Sequence, residues 1–197
     1  MARYLTVTAA VTIDTARLRA YLRAPVAPAS TRPGPDWTGL CAPWHDEALR
    51  RRYRAELPAA LAECDRWTDG DHAAFLHDLD EDGALTLRHD APTGSLALDL
   101  DTRVDFELPG MIQALTVLCG LADAMAGDDT GLVELTTDWS EGTVLLHLTP
   151  GRPAFLDPAL DAATLARARD AAFDTRCAAG ESGEDEPAGE VLDRLLS

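Results

Sequence analysis

The sequence contains no lysine, so all 17 basic side chains are arginine, and they are outnumbered by 34 aspartates and glutamates. The formal net charge is −17 at pH 7. A surface with such an excess of negative charge repels phosphate backbones and anionic lipid headgroups. The composition therefore predicts no nucleic-acid partner and no membrane partner, and it favours a basic protein or a cation.

Paired cysteines and long apolar runs are also missing. The four cysteines lie far apart in the sequence, without the C-x2-C spacing of structural zinc sites. Residues 1–13 alternate in polarity, unlike the uninterrupted apolar segment of a secretory signal. The most apolar stretch, 109–126, is short for a membrane span and contains Asp123. We therefore expect a cytoplasmic protein with reduced thiols.

Motifs for nucleophilic catalysis and phosphate binding are absent from the sequence, including G-x-S-x-G, S-x-x-K and G-x-x-x-x-G-K. Carboxylates are so numerous that no acid–base pair stands out. Five prolines in residues 24–44 predict a long surface loop. An enzyme whose site lies under this loop is one alternative, for which the sequence offers no catalytic residue.

The apolar stretch 109–126 predicts a central, buried helix. It opens with Pro109 and is followed by Gly127, residues that favour a helix start and a helix stop. Its few polar or small positions form one narrow stripe, and all other sides are apolar, as in a helix enclosed by a fold. That stripe consists of Gln113, Thr116, Gly120 and Asp123.

Alternating segments predict strands at 3–13, 84–88, 95–108, 132–139 and 143–149. Short turns between them favour an antiparallel sheet. We expect the α+β class, with helices packed on one face of the sheet around helix 109–126. In the hairpin closed by Glu141 and Gly142, the expected register places Trp139 opposite Val144.

The domain organisation follows from composition. Residues 1–178 form a single α+β domain that includes the proline-rich 24–44 loop. Residues 179–197 comprise an acidic linker and a short amphipathic segment. We expect that segment to dock on its own domain, and a partner-binding tail is the alternative.

The strand at 95–108 alternates between apolar residues, which include Phe106, and mostly acidic residues. If the apolar side faces the central helix, the other side of the sheet carries a row of carboxylates open to water. This face is the predicted site for a basic partner, and a merely solvated face is the competing interpretation. The predicted partner-binding residues are Asp99, Asp101, Asp105, Glu107, Glu134 and Asp138.

One acidic turn resembles half of a calcium loop. Asp78, Asp80 and Asp82 occupy its first, third and fifth positions, followed by a glycine. Position twelve is His89 where a bidentate glutamate is required, so an acidic helix-to-strand turn is the alternative identity. Calcium is the one cofactor that the sequence suggests, in a divalent-metal-responsive domain.

From residue 46 onward, the predicted order is a helix, two strands, the central helix 109–126, two strands and a final helix. This order of elements resembles that of small acidic secretion chaperones and related effector-binding folds. The resemblance implies a non-enzymatic protein that binds another protein. Our main hypothesis is an interaction module of the immunity-protein, inhibitor or effector-chaperone type. The only basic cluster, Arg50–Arg54, would also allow a homodimer by meeting the acidic part of a second copy.

Overall fold

The computed structural model describes residues 3–32, 34–67, 69–81, 84–181 and 186–197. Within these ranges six strands form one antiparallel sheet with six α-helices, which confirms the predicted α+β class. The strands are β1 (Arg3–Thr12), β2 (Leu85–Asp90), β3 (Ser95–Val104), β4 (Gly131–Thr137), β5 (Val144–Thr149) and β6 (Arg152–Phe155). The helices are α1 (Thr15–Arg23), α2 (Glu47–Cys64), α3 (His72–Glu81), α4 (Glu107–Ala124), α5 (Ala162–Glu181) and α6 (Ala188–Leu196).

The first strand of the chain lies inside the sheet, whose order is β2-β3-β1-β4-β5-β6. The elements β1, α1, β2, β3, α4 and β4 follow the split β-α-β arrangement, in which two helical crossovers interleave antiparallel strands. Helices α2 and α3 are inserted before β2, and β5 and β6 extend one edge. Strands flank β1 on both sides, and its residues Leu5 and Val7 are fully buried in the core that the sheet forms with α4.

Helix α4 is the buried element that the apolar stretch predicts, displaced by two residues toward the N-terminus. It packs between the sheet and the helices α1 and α2. Leu115 and Leu118 are buried in its middle, and burial of each such side chain contributes roughly 1.5–3 kcal/mol. Burial on all sides explains why its sequence carries only a narrow polar stripe.

Helix α2 continues through Pro58, although proline commonly breaks the interior of a helix. Proline removes one intrahelical hydrogen bond. The apolar face of the helix nevertheless runs past that position, with Tyr53, Leu57 and Ala60 all buried. These residues lie on the side of α2 that packs against α4, and this packing holds the helix together.

The proline-rich segment 24–44 is not the open surface loop that the sequence predicts. Its apolar side chains, among them Trp37, Leu40 and Trp44, are buried in the main core. The indole of Trp37 donates to the Ala29 carbonyl at 3.0 Å, and that of Trp44 donates to the Leu40 carbonyl at 2.9 Å. A pocket of about 160 Å³ lies beside the segment, lined in part by Gly39, Ala42 and Pro43.

The hairpin of β4 and β5 forms with a different register. Leu135 lies opposite Val144, four residues from the expected pairing. The connection between β4 and β5 is therefore longer than expected, and residues outside the hairpin hold it in place. Asp138 and Tyr4 exchange two hydrogen bonds at 3.0 and 3.2 Å, and the His45 amide donates to the Glu141 carbonyl. A shift by an even number of residues leaves the inward-facing side chains unchanged.

Helix α5 lies on the face of the sheet opposite α4, so the helices do not all share one face. It packs across β1, β2, β3 and β4. Leu165 and Ala168 of α5 form a second apolar cluster with Leu132 and Leu145 of the sheet. Leu132 and Leu145 project from the sheet face opposite α4, between polar neighbours. Helix α5, which has mostly small side chains, covers this face and buries both leucines.

Candidate functional site

Two of the predicted partner-binding carboxylates are already paired within the chain. Arg176 of α5 forms an ion pair with Asp99 and donates to the Ala9 carbonyl at 3.3 Å. Arg169, two turns earlier on α5, contacts Glu134 at 3.1 Å. The expectation of an acidic sheet face open to water is therefore wrong at these positions, since α5 supplies the basic groups itself.

Asp101 and Asp138 remain exposed beyond the edge of α5. Asp101 lies opposite Thr6 in the sheet. Asp138 follows the last residue of β4, and its carboxylate accepts a hydrogen bond from the Tyr4 amide. These two residues form an acidic rim at one end of the sheet face.

Asp105 and Glu107 do not lie on the sheet, because β3 ends at Val104 and α4 begins at Glu107. Pro109 suits the first turn of a helix, where no donor is needed from its nitrogen. A glutamate in that turn is favoured by the partial positive charge of the helix N-terminus. The chain therefore changes from strand to helix four residues before the end of the expected strand.

Glu107 is the most enclosed of the six predicted carboxylates, with 8% exposure. Its carboxylate forms ion pairs with Arg3 and Arg52 and accepts a hydrogen bond from the Tyr53 hydroxyl at 2.9 Å. That hydroxyl accepts in turn from the indole of Trp139 at 2.9 Å. Burial raises the pKa of Tyr53 above its ordinary value, so the phenol stays protonated and donates to Glu107.

A cleft of about 340 Å³ opens above this network. One wall is α2, which contributes Glu56 and Glu63, and the other is the β3–α4 connection. Glu56 and Glu63 are seven residues apart and so lie on one face of the helix. Among the described residues, no ion pair or hydrogen bond involves the side-chain carboxylate of Glu56 or Glu63. The cleft thus carries two unpaired carboxylates beside a floor in which Arg3 and Arg52 flank the one carboxylate of Glu107.

A second cleft of about 160 Å³ adjoins the first, and Phe106 lines both. We call the two together the corner cleft. The Phe106 ring is 57% exposed, and Trp67, which lines the second cleft, is 48% exposed. The alternation of residues 95–108 predicts Phe106 on the inner side of a strand, which is wrong because β3 ends at Val104. Glu56, Glu63 and Trp67 are absent from the predicted set of residues.

The predicted calcium residues are not arranged as a loop. Asp78 and Asp80 belong to α3, which continues to Glu81, and Asp82 lies outside the described residues. The Asp80 carboxylate accepts a hydrogen bond from the Gly189 amide at 3.0 Å. Across the ranges that the structure describes, no three metal-ligating side chains come together.

The buried thiols are held in their neutral form. Burial raises the pKa of Cys64 and Cys119 to about 12, and it also raises that of Cys41. The thiolate is the nucleophilic form of cysteine, so these three residues are suited to packing. Cys177, on α5, is exposed.

The basic cluster is partly used within the chain. Arg50 contacts Glu47 at 2.6 Å, and Arg52 belongs to the Glu107 network. Arg51 and Arg54 are exposed.

Comparison with known proteins gives no relative: no protein-family model, no curated protein and no solved structure matches this chain. In the described part of the chain, every helix is too short or too polar to cross a membrane.

Proposed function

We propose that this protein is a protein-interaction module that binds a basic segment of a partner in the corner cleft. The observation that carries the proposal is the position of Phe106. This exposed ring stands between two adjoining clefts, beside the unpaired carboxylates Glu56 and Glu63.

Exposed aromatic rings at a cleft are typical of binding surfaces. Single apolar side chains on a protein surface are ordinary. Phe106 and Trp67, however, lie along the same cleft, so one partner segment can cover both rings. Aromatic residues in enclosed positions supply much of the binding energy of protein interfaces, and these two rings are the expected anchors.

The charges of the cleft favour a basic segment. Arg3 and Arg52 exceed the charge of Glu107 by one, and Asp105 lies 3.7 Å from Arg103. With Glu56 and Glu63, the acidic residues that line the larger cleft still outnumber its arginines by two. Glu56 and Glu63 are left to accept arginine or lysine side chains. The net charge of −17 would accelerate the approach of such a partner and penalise acidic competitors.

The class of function, a protein-interaction module, is the one that the sequence suggests, but the proposed site is the corner cleft and not the sheet face. An immunity protein, an inhibitor and an effector chaperone all act by binding a partner, and the corner cleft serves any of them. Of the predicted carboxylates, Asp105 and Glu107 line the cleft. Asp138 is linked to its edge through Tyr4, which pairs with Arg103.

Peptide selection tests the proposal directly. A random peptide library is selected on the full chain, and the affinity of enriched peptides is measured by calorimetry. We expect peptides that combine an apolar anchor with basic residues. Phe106→Ser should weaken their binding at least about tenfold, the cost of roughly 1.4 kcal/mol at an anchor position.

Phe173→Ser is the matched control, because Phe173 is also an exposed phenylalanine, on α5, with 68% exposure. It should leave the affinity unchanged. Enrichment of acidic peptides, or equal loss of affinity in both variants, would refute the proposal.

A further inference from the structure

His89 is a buried polar side chain without a partner. It lies on the same side of β2 as Leu85 and Leu87 and is 7% exposed. Within the described residues neither of its ring nitrogens has a hydrogen-bond partner. A buried imidazole normally satisfies at least one nitrogen, so this one is held in place by packing alone.

The C-terminal helix α6 packs on that same side of β2 and also contacts α1 and α3. Its apolar face buries Ala188, Val191, Leu192 and Leu195. The helix has one packed face, and elements with few buried contacts are the parts of a fold that open locally at the lowest cost.

Among the described residues, three polar contacts attach α6 to α1 and α3. The Gly189 amide donates to Asp80 at 3.0 Å, and Arg23 donates to the Leu196 carbonyl at 2.6 Å. His77 of α3 lies 3.6 Å from Asp193. All three lie at or near the surface and use groups that water can also satisfy.

The surroundings of His89 disfavour a proton. The causes that lower its pKa are burial and then the charge of Arg194 on α6, while Asp90 acts in the opposite direction. The neighbouring strand β3 places the apolar Leu96 opposite it. An imidazolium under α6 would therefore be buried next to a second cation.

We infer that α6 is an acid-released latch: when His89 takes up a proton, α6 leaves its groove while the sheet and α4 remain folded. Release lets water solvate the imidazolium and separates it from Arg194. It also uncovers the apolar groove on β2, α1 and α3.

The direction of the pH effect follows from linkage. A histidine whose pKa is lowered in the closed form binds its proton more readily in the open form. Closure is therefore fully favoured above about pH 6.5, the ordinary histidine value, and weakens as the pH falls below it.

Hydrogen–deuterium exchange of the full chain at pH 7.5 and pH 5.0 tests the latch, with labelling times corrected for the intrinsic exchange rate. We expect the protection of residues 188–196 to fall several-fold more than that of α4, because the open form binds the proton more readily at pH 5.0. His89→Leu should keep α6 protected at both pH values. His147→Leu is the control, since burial also lowers the pKa of His147 but three strands separate its strand β5 from β2.

Arg194→Gln provides a second variant if His89→Leu does not fold. It removes the cation next to the imidazole, so the loss of protection at pH 5.0 should become smaller. Equal protection of α6 at both pH values would overturn the inference. Loss of protection in α6 and α4 together, or a loss that is unchanged in His89→Leu or Arg194→Gln, would overturn it as well.

Discussion

Glu107 illustrates how the surroundings of a single carboxylate can be missed from the sequence. Its alternation with apolar residues suggests an exposed position on a strand. In the fold it begins a helix and is buried, and two arginines and a tyrosine donate to it. Because these three groups already hold the carboxylate, Glu107 acts in the site by supporting the cleft floor.

Replacement of Glu107 should show how much its network contributes to the free energy of unfolding. Glu107→Leu leaves the Tyr53 hydroxyl without its acceptor and Arg3 and Arg52 without their counter-charge. We expect the free energy of unfolding to fall by about 2 kcal/mol, the usual cost of unpairing buried polar groups. Urea denaturation measures it, with Glu56→Leu as control. That exposed position should change stability by less than about 0.5 kcal/mol.

At the scale of elements, two side chains, those of His72 and Tyr21, approach α4 closely at Gly120. This glycine is the one sign of the approach in the sequence. A methyl group at Gly120 would overlap the His72 imidazole and stand 3.1 Å from the Tyr21 ring. The burial of His72 against α4 depends on that missing side chain. Gly180 of α5, in contrast, has open space around the same position.

Replacing each of the two glycines by alanine should change the stability of the protein in opposite directions. Gly120→Ala should destabilise the protein by about 1–3 kcal/mol because a packed core cannot absorb the added carbon. Gly180→Ala should stabilise it by up to about 1 kcal/mol, since alanine is the better helix former. Thermal unfolding of both variants is the test, and a stabilised Gly120→Ala would refute the packing of α1, α3 and α4 described here.

The position of α5 gives a second prediction for an element. Asp99→Arg places two arginines side by side under α5, because Arg176 is already there. We expect a loss of about 1–2 kcal/mol, more than an exposed ion pair alone contributes. Asp101→Arg, next to it but outside α5, should change the free energy of unfolding by less than about 0.5 kcal/mol. Equal effects in urea denaturation would contradict the coverage of this face.

Sequence periodicity predicts elements well where one pattern dominates. The alternation of β1, the cap at Asp14 and the apolar helix α4 follow from local chemistry. The strand-to-helix switch before Glu107 is missed because alternation continues past Val104. The second helical layer is missed because α5 is rich in alanine and gives little amphipathic signal, although Leu132 and Leu145 face the side on which it lies.

For the whole molecule, charge predicts the kind of partner and not the position of the site. The excess of carboxylates is visible in the composition. Which of them are free depends on arginines distant in sequence, such as Arg169 for Glu134 and Arg3 for Glu107. Glu56 and Glu63 remain unpaired next to Phe106 only because α2 and the β3–α4 connection meet there.

Calorimetric titration of a selected basic peptide into two matched double variants tests the central claim most directly. Glu56→Gln with Glu63→Gln removes two charges from the corner cleft, and Asp101→Asn with Asp138→Asn removes two from the exposed rim of the sheet. We predict that the first pair weakens binding at least about tenfold, while the second, with the same net charge, weakens it less than about threefold. Equal losses, or a larger loss from the rim pair, would contradict the placement of the site.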